Sequence, residues 1–324
     1  LQDDEPAFSA DVVTQYGINS SANLDGLDLI MPRVGFRWDA GDSTTVTGGF
    51  GLFAGGDPKV WTSNAFQPLT VYERDTFSNV DPTTVPAVLQ ANVAAGSGVP
   101  IDIISEDFEI PSDWKASLKV EHQFDADFGA LDLGDDYRVT AQYLYTKAKD
   151  SFMWRNLGQT LNADALPIGT APDGRSIYAD LDALNIDNLT ELRNADGQES
   201  HTLAFSLAKL WESGFEMQVS YAFQDVDIVS EGTSSRGISN WRGLAAVDRN
   251  NPQPRTSPFQ REHALKFSMA YEREFFDGLS TRFDVFGQVF REGQFGAMFN
   301  VDRDNSLFGR AGQGESPFDN SPLY

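Results

Sequence analysis

The side chains that most often carry chemistry are few in this sequence, and the abundant ones are badly spaced for it. Cysteine is absent, so a disulfide framework, a thiolate metal site and a cysteine nucleophile are all excluded. Only three histidines occur, His122, His201 and His263, and none has a second His or Glu at metalloprotease spacing. There is no Gly-x-Ser-x-Gly elbow and no phosphate-binding loop. Gly48-Gly49-Phe50-Gly51 is glycine-rich but sits in a strand pattern, where glycine serves close approach or curvature. Asp180 and Asp182 with Asp187 nearby, and Asp302-Arg303-Asp304-Asn305, resemble parts of calcium loops, where hard oxygen ligands cluster. They lack the full spacing and the sharp-turn glycine of an EF-hand, so solvated acidic loops are expected there. Loop Ca²⁺ is the one cofactor these residues could take, and no metal site is assigned. No catalytic set emerges, and the expectation is that the protein is not an enzyme.

Aromatic residues in the connecting segments are more informative. Trp61, Phe66, Tyr72, Trp241 and Phe259 stand among Asn, Gln, Ser and Arg, with Asn64 between the first two. Exposed aromatics with amide neighbours suit capture of a peptide or a carbohydrate. The same residues would equally pack loop against loop and hold a cap together.

Composition narrows the class that must position these groups. The 324 residues carry 24 Lys+Arg against 48 Asp+Glu, a formal net charge of −24, which repels phosphate backbones and argues against a nucleic-acid partner. Mean hydropathy is −0.35, and no apolar run approaches the ~18 residues of a membrane-spanning helix. A membrane β-barrel stays open, because half of each strand faces a polar lumen. Aromatics make up 12% of the chain, which argues against disorder.

Apolar residues recur two apart, the period of a strand, and not three or four apart. Trp114, Ala116, Leu118, Val120, His122 and Phe124 alternate with Lys115, Ser117, Lys119, Glu121 and Gln123. Tyr137 to Tyr145 behaves alike, with Leu144 alone out of phase; so do Phe215 to Phe223 and His263 to Tyr271. About eight strands are expected, near 28–39, 44–54, 112–125, 137–154, 199–210, 215–230, 262–274 and 279–294. Tight or modest links join them in pairs, while long polar connectors, near 55–111, 155–198 and 231–261, separate the pairs. Short–long alternation is how outer-membrane barrels are built, with short periplasmic turns and long external loops. A strand of ~12 residues at ~3.3 Å each, tilted ~45°, rises ~28 Å and crosses the hydrocarbon layer. The fold class expected is all-β: a transmembrane antiparallel β-barrel with long extracellular loops. By phase, Lys115, Lys119, Arg138, Glu216 and Arg282 line the lumen. That many charges would not fit the narrow interior of a closed eight-stranded barrel, so the strands should form an arc of a larger one.

Asn23-Leu24-Asp25-Gly26 followed by Met31-Pro32-Arg33-Val34-Gly35-Phe36-Arg37-Trp38 resembles a stretch in the barrels of Oar-like TonB-dependent outer-membrane receptors. Gly48 to Gly56 with Val60-Trp61-Thr62-Ser63-Asn64, and Glu106 to Lys115, are similar to the strands and loop that follow it in that family. The resemblance implies a 22-stranded barrel around an N-terminal plug, energised through TonB, in the outer membrane of a Gram-negative bacterium. Residues 1–324 then read as a middle-to-late portion of the barrel domain, with plug and terminal strands outside it. The partners implied are outer-membrane lipid, the plug and remaining strands, the TonB complex and an unknown extracellular ligand. The expected function is uptake of a scarce solute, a peptide or oligosaccharide before a small ion. A plug-free porin-like channel or adhesin barrel, and a secreted β-sandwich enzyme or lectin, are the alternatives. A barrel parent should fractionate with the outer membrane and show heat-modifiable gel mobility; recovery in the soluble periplasm without detergent would exclude it.

Overall fold

The computed structural model describes residues 6, 10–55, 59–66, 81, 83–95, 101–127, 134–157, 167–170, 176–178, 189–244, 246, 248–291, 297–298 and 322–323. Eight long strands form one antiparallel meander: β1 (Arg33–Asp39), β2 (Thr44–Ala54), β4 (Ser112–Phe124), β5 (Tyr137–Asn156), β9 (Glu199–Leu210), β10 (Phe215–Ile228), β12 (His263–Phe276) and β13 (Leu279–Phe290). β1 and β13 are the two ends of the sheet and do not pair with each other, so the sheet is an open arc. No described helix is long and apolar enough to cross a membrane.

The expected strands match these within a few residues, with one difference. β1 begins at Arg33, not near residue 28. Pro32 lies at the boundary: it has no N–H to give to a ladder, while its carbonyl accepts the Leu52 amide at 2.9 Å.

Register sorts the side chains onto two faces. Trp38, Val46, Val120, Ala141, Phe205, Tyr221, Leu265 and Val289 form one cross-strand row, and Phe36, Gly48, Leu118, Tyr143, Leu203, Phe223 and His263 form the next. Rows between these point the other way, such as Thr45, Glu121, Thr140, Ser206, Ser220, Lys266 and Gln288. Val34, Phe36, Trp38, Phe283 and Val289 are all more than half exposed. Water would not tolerate so continuous an apolar face; a bilayer requires it. Leu144 falls on the polar face, as its break in phase indicates.

Tight turns at one end set this register. In the β9–β10 hairpin Gly214 has φ of 85°, and a Cβ there would strike the Glu272 carbonyl. The amide of Glu272 donates to the Gly214 carbonyl at 2.8 Å, so the turn also locks β12 in place. Glycine is the residue that accepts both conditions.

The opposite end carries the long connectors, and here they are more than loops. β5 continues outward, and its last six residues, Ser151–Asn156, pair with β8 (Leu189–Ala195). β8 pairs in parallel with β3 (Ile101–Ile104). Around this small sheet lie α1 (Ala10–Tyr16), α2 (Lys59–Thr62) with the 3₁₀ turn Ser63–Phe66, and α4 (Gly237–Gly243). A further helix, α3 (Ala87–Ala95), a hairpin of β6 (Pro167–Thr170) and β7 (Ser176–Tyr178), and a two-residue strand, β11 (Arg255–Thr256), belong to the same connectors. These elements have a core of their own, described below.

Val219 and Ser220 test the face assignment near the middle of β10. Val219 lies in the outward row with Leu207 and Phe267, and Ser220 in the inward row with Ser206 and Lys266. Val219→Arg puts a guanidinium against lipid at ~2–4 kcal/mol and should depress refolding stability in bilayers. Ser220→Arg stays hydrated and should cost much less; equal tolerance would refute the assignment.

Candidate functional site

Two regions carry the candidate functional side chains: the inward polar face and the cap at the outer end. On the inward face, alternation sets polar and charged side chains two residues apart, so opposite charges meet both along one strand and across strands. Lys119 lies 2.8 Å from Glu121 and Lys115 3.6 Å from Asp113. Arg138 is on the same face and exposed. Arg282 is the most engaged. Its two terminal nitrogens meet the two oxygens of Glu216 at 3.1 and 2.7 Å, a bidentate fork reaching over β12 from β13 to β10. Its Nε donates to Asp284 at 3.0 Å, and Glu272 stands 3.5 Å away, itself accepting from the Ser280 hydroxyl at 2.7 Å.

The fork is open to Glu216 because of an alanine. Ala270 is the register partner of both Glu216 and Asp284, and it is buried. A longer side chain there would stand where the guanidinium passes. Sequence phase places all five lumen candidates, Lys115, Lys119, Arg138, Glu216 and Arg282, on the face where register now puts them. It does not foretell that Glu216 and Arg282 meet, since they lie 66 residues apart. These side chains are exposed or half-exposed, so the ion pairs add little stability.

In the cap, the three-stranded sheet of β3, β8 and the end of β5 is covered on both sides. Ala65, Ile104, Phe108, Trp154, Leu192, Ile238 and Trp241 form one cluster, with Leu24, Trp61, Phe66 and Phe152 partly buried against it. Val12, Ile103, Leu157 and Leu189 pack on the other side. Trp61 meets Phe152 at 4.4 Å between ring centroids and Trp154 edge-on at 5.3 Å, and its indole N–H donates to the Ser234 carbonyl at 2.8 Å. Asn64 is buried, its amide donating to the carbonyls of Trp61 and Ser235, both at 2.9 Å. Trp241 is 2% exposed and donates to Asn250 at 2.9 Å, and Asn250 in turn holds the Asn156 backbone.

The structure therefore brings Trp61, Asn64, Phe66 and Trp241 into one cluster, but as the packing of the cap. Of the two expectations for them, loop against loop is the arrangement seen. Trp241 and Asn64 present no surface to a ligand here, because α4 lays one against the sheet and the 3₁₀ turn uses the other as a clasp. Trp61 and Phe66 are half-buried. Phe259 is well exposed. Tyr72 lies outside the described residues, as do Asp180, Asp182, Asp187 and Asp302 to Asn305. Among the described residues no group of three His, Asp or Glu is placed to hold a metal ion.

The three histidines are on the outward face, each held at Nδ1 by a hydroxyl: Thr44 for His122 at 2.8 Å, Tyr143 for His201 at 2.7 Å and Tyr221 for His263 at 2.8 Å. His201 Nε2 lies 4.0 Å from Glu199 and His263 Nε2 3.7 Å from Glu262, and no histidine is paired with a second histidine.

One buried acid in the cap escaped the sequence reading. Asp102, Thr190 and Asn156 are register partners across β3, β8 and β5, on the face covered by α4. Asp102 Oδ1 and the Thr190 hydroxyl are buried without a hydrogen-bond partner among the described residues. A Cβ at Gly237 would come within 2.9 Å of that carboxylate oxygen. Burial pushes the Asp102 pKa from 3.8 up to about 6, against the opposing pull of the Arg236 charge and the neighbouring Thr190.

The family model for the outer membrane beta barrel domain matches residues 9–299. The chain belongs to this family. Solved structures to which it is similar include the siderophore receptor PirA from Pseudomonas aeruginosa, at 11% identity and a TM-score of 0.37, covering 80% of this chain and 34% of that one. The outer membrane transporter YddB from Escherichia coli is similar at 11% identity and a TM-score of 0.37, covering 73% of this chain and 26% of that one. The chain thus spans about a third or less of the length of those two proteins. The comparison with curated proteins finds no match. As a member of the outer membrane beta barrel domain family, the chain resides in the outer membrane, its apolar rows against lipid and its charged rows facing inward.

The Asp102 shift has a defined consequence for the cap. Because the folded-state pKa lies above the unfolded value, the folded cap holds a proton that the unfolded chain has already released between pH 3.8 and about 6. Stability from this group is therefore full in acid and is lost as pH rises through about 6. Asp102→Asn should remove the dependence and stabilise the cap at pH 7.5 by about 3 kcal/mol, read from Trp fluorescence unfolding at about pH 4 and at pH 7.5. An unchanged pH profile in Asp102→Asn would refute the assignment.

Proposed function

We propose that the chain forms part of the barrel of an outer-membrane receptor that takes up a scarce solute, with energy delivered through TonB from the inner membrane. The observation that carries this reading is the inward face of the arc. It is lined by charged and polar side chains and does not close on itself at eight strands, where a barrel interior holds only side chains. A wider, wet lumen accommodates Lys115, Lys119, Arg138, Glu216 and Arg282, and in receptors of the kind this chain resembles a plug seals such a lumen and TonB supplies the energy to move it. The plug, the remaining strands and the contact with TonB lie in parts of the receptor other than these residues. The resemblance of the segments around Arg33–Trp38 and Glu106–Lys115 to Oar-like receptors supports the same assignment.

The cap gives the receptor its outer surface. Its exposed and half-exposed aromatics, Phe259, Trp61, Phe66 and Phe152, lie among amides and hydroxyls. That mixture suits an oligopeptide or an oligosaccharide better than a small ion. In this reading loops bind the solute, the plug is displaced from within, and the solute moves along the polar lumen. No covalent chemistry is required of the chain.

Uptake of fluorescently labelled oligopeptides and oligosaccharides, compared between cells with and without the gene, tests the proposal. Saturable uptake that is lost on deleting the gene, and equally on disabling TonB, is the expected outcome. Uptake that needs the gene but survives loss of TonB would show a plug-free channel and overturn the energised mechanism.

A further inference from the structure

At the outer end of the inward face, two cations are brought together over β2. Arg33, Gly51 and Lys115 are register partners across β1, β2 and β4, close to where β2 and β4 meet the long connectors. Gly51 puts no side chain between the two long ones, and a Cβ there would come within 2.8 Å of Arg33 Cγ. Both cations lean over this gap onto the ring of Phe53, the next inward residue of β2. The Arg33 guanidinium carbon stands 4.2 Å from the ring centroid and the Lys115 ammonium 5.7 Å. Arg33 and Lys115 are both exposed.

This pair is short of anions. Further down the same strands each cation has an acid of its own, Asp39 at 3.0 Å from Arg37 and Glu121 at 2.8 Å from Lys119. Here, among the described residues, Asp113 at 3.6 Å from Lys115 is the one carboxylate paired with either. Arg33 gives its Nε–H to the Leu52 carbonyl at 3.4 Å and one terminal N–H to Met31 Sδ at 3.7 Å, which leaves most of its fork to a ligand. In a chain of net charge −24, such a spot attracts an anion where the rest of the surface repels it. A guanidinium fork matches the two oxygens of a carboxylate. The row runs on from Lys115 into Thr146 and Ser200, and the next inward row holds Ser117 and Thr202, hydroxyls that suit the peptide groups behind a carboxylate. Of the two solute classes above, an oligopeptide always carries a carboxylate, at its C-terminus, and a neutral oligosaccharide carries none.

We propose that Arg33 and Lys115, steadied on Phe53, form a subsite for the C-terminal carboxylate of an oligopeptide solute at the outer mouth of the lumen. Arg33 forks the carboxylate, Lys115 neutralises it from the far side of Gly51, and the ring keeps the two cations from swinging apart. The inference rests on the uptake reading and narrows it to peptides with a free C-terminus.

Fluorescence polarisation on the detergent-extracted full-length receptor tests this. The probe is a random hexapeptide pool without Asp or Glu, labelled at the N-terminus, as the free acid and as the C-terminal amide. Wild type should bind the free acid about tenfold more tightly than the amide, the weight of one charge-assisted hydrogen bond. Arg33→Gln and Lys115→Gln should each reduce that preference and leave the affinity for the amide where it was, whereas a merely structural role would lower both. Lys266→Gln, inward on β12, should keep the preference. The comparison of acid with amide in wild type holds even where a variant fails to fold. Equal binding of the two pools would overturn the subsite and leave the uptake reading standing. Binding of neither pool would overturn the peptide assignment, and uptake of oligosaccharide by cells would then decide the receptor reading separately. Labelled oligogalacturonate bound in place of peptide, and lost in Arg33→Gln, would reassign the subsite to an acidic sugar. Displacement of the free-acid pool by an equimolar amount of inorganic phosphate would reassign it to a free anion.

Discussion

A peptide group inside a hydrocarbon layer has no water to bond, and each one left unpaired costs several kcal/mol. Most of what is seen in this chain follows from that constraint. It forces the spanning segments into long antiparallel strands joined by tight turns, so that every amide within the sheet finds a neighbour. It also bears on the two strands at the ends. Among the described residues nothing pairs with the outer edges of β1 and β13, Arg33–Asp39 and Leu279–Phe290, and apolar side chains in the outward rows of both strands, such as Val34, Trp38, Phe283 and Val289, are more than half exposed. Such edges are untenable in lipid. The arc is stable in a membrane only as a segment of a closed ring, which is why its inward face is polar to a degree that a small barrel interior would not accept.

The outward face has to be smooth as well as apolar, and here cross-strand pairing does what composition cannot. Phe36 lies over Gly48 so closely that a Cβ at Gly48 would come within 2.5 Å of the ring, and Phe267 covers Gly287 in the same way. In each pair the ring fills the space that the glycine leaves, so large and small residues make a continuous surface. The inward face uses the same device for charge. Ala270 is small, and the Arg282 fork to Glu216 passes across β12 above it. One alternation therefore serves two solvents, with small residues placed wherever a neighbour on the next strand must reach across.

How much of this is legible in the sequence depends on the length of the element. Strands of eleven to twenty residues, as in β2, β4 and β5, repeat their period often enough to be read, and their ends come out within a few residues. β3 has four residues, Ile101-Asp102-Ile103-Ile104, and buries side chains on both faces, so it offers no period at all. The parallel pairing of β3 with β8 is fixed by packing and not by a turn, and no local signal encodes it. Trp241 illustrates the same limit for the candidate site. Its sequence neighbours are Ser239, Asn240, Arg242 and Gly243, which read as a polar loop, yet the short helix they form turns the indole into the core. What the sequence did carry was the inward set of charges, because phase alone decides which face a side chain takes.

The cap is better understood through the acid it buries. A four-residue strand and a seven-residue helix contribute little stability separately, and their docking depends on the face shared by Asp102, Ile104, Trp154 and Leu192. Placing an aspartate there, with one oxygen unpartnered and Gly237 pressed against it, weakens that docking when the carboxylate is charged. An asparagine or a leucine would hold more firmly. The cap is thus less stable at neutral pH than its apolar cluster alone would make it, while the strands beneath it are held by continuous ladders. Lower local stability concentrates opening where it occurs first, and in this chain that is β3, β8 and α4, at the end of β5 beyond the meander.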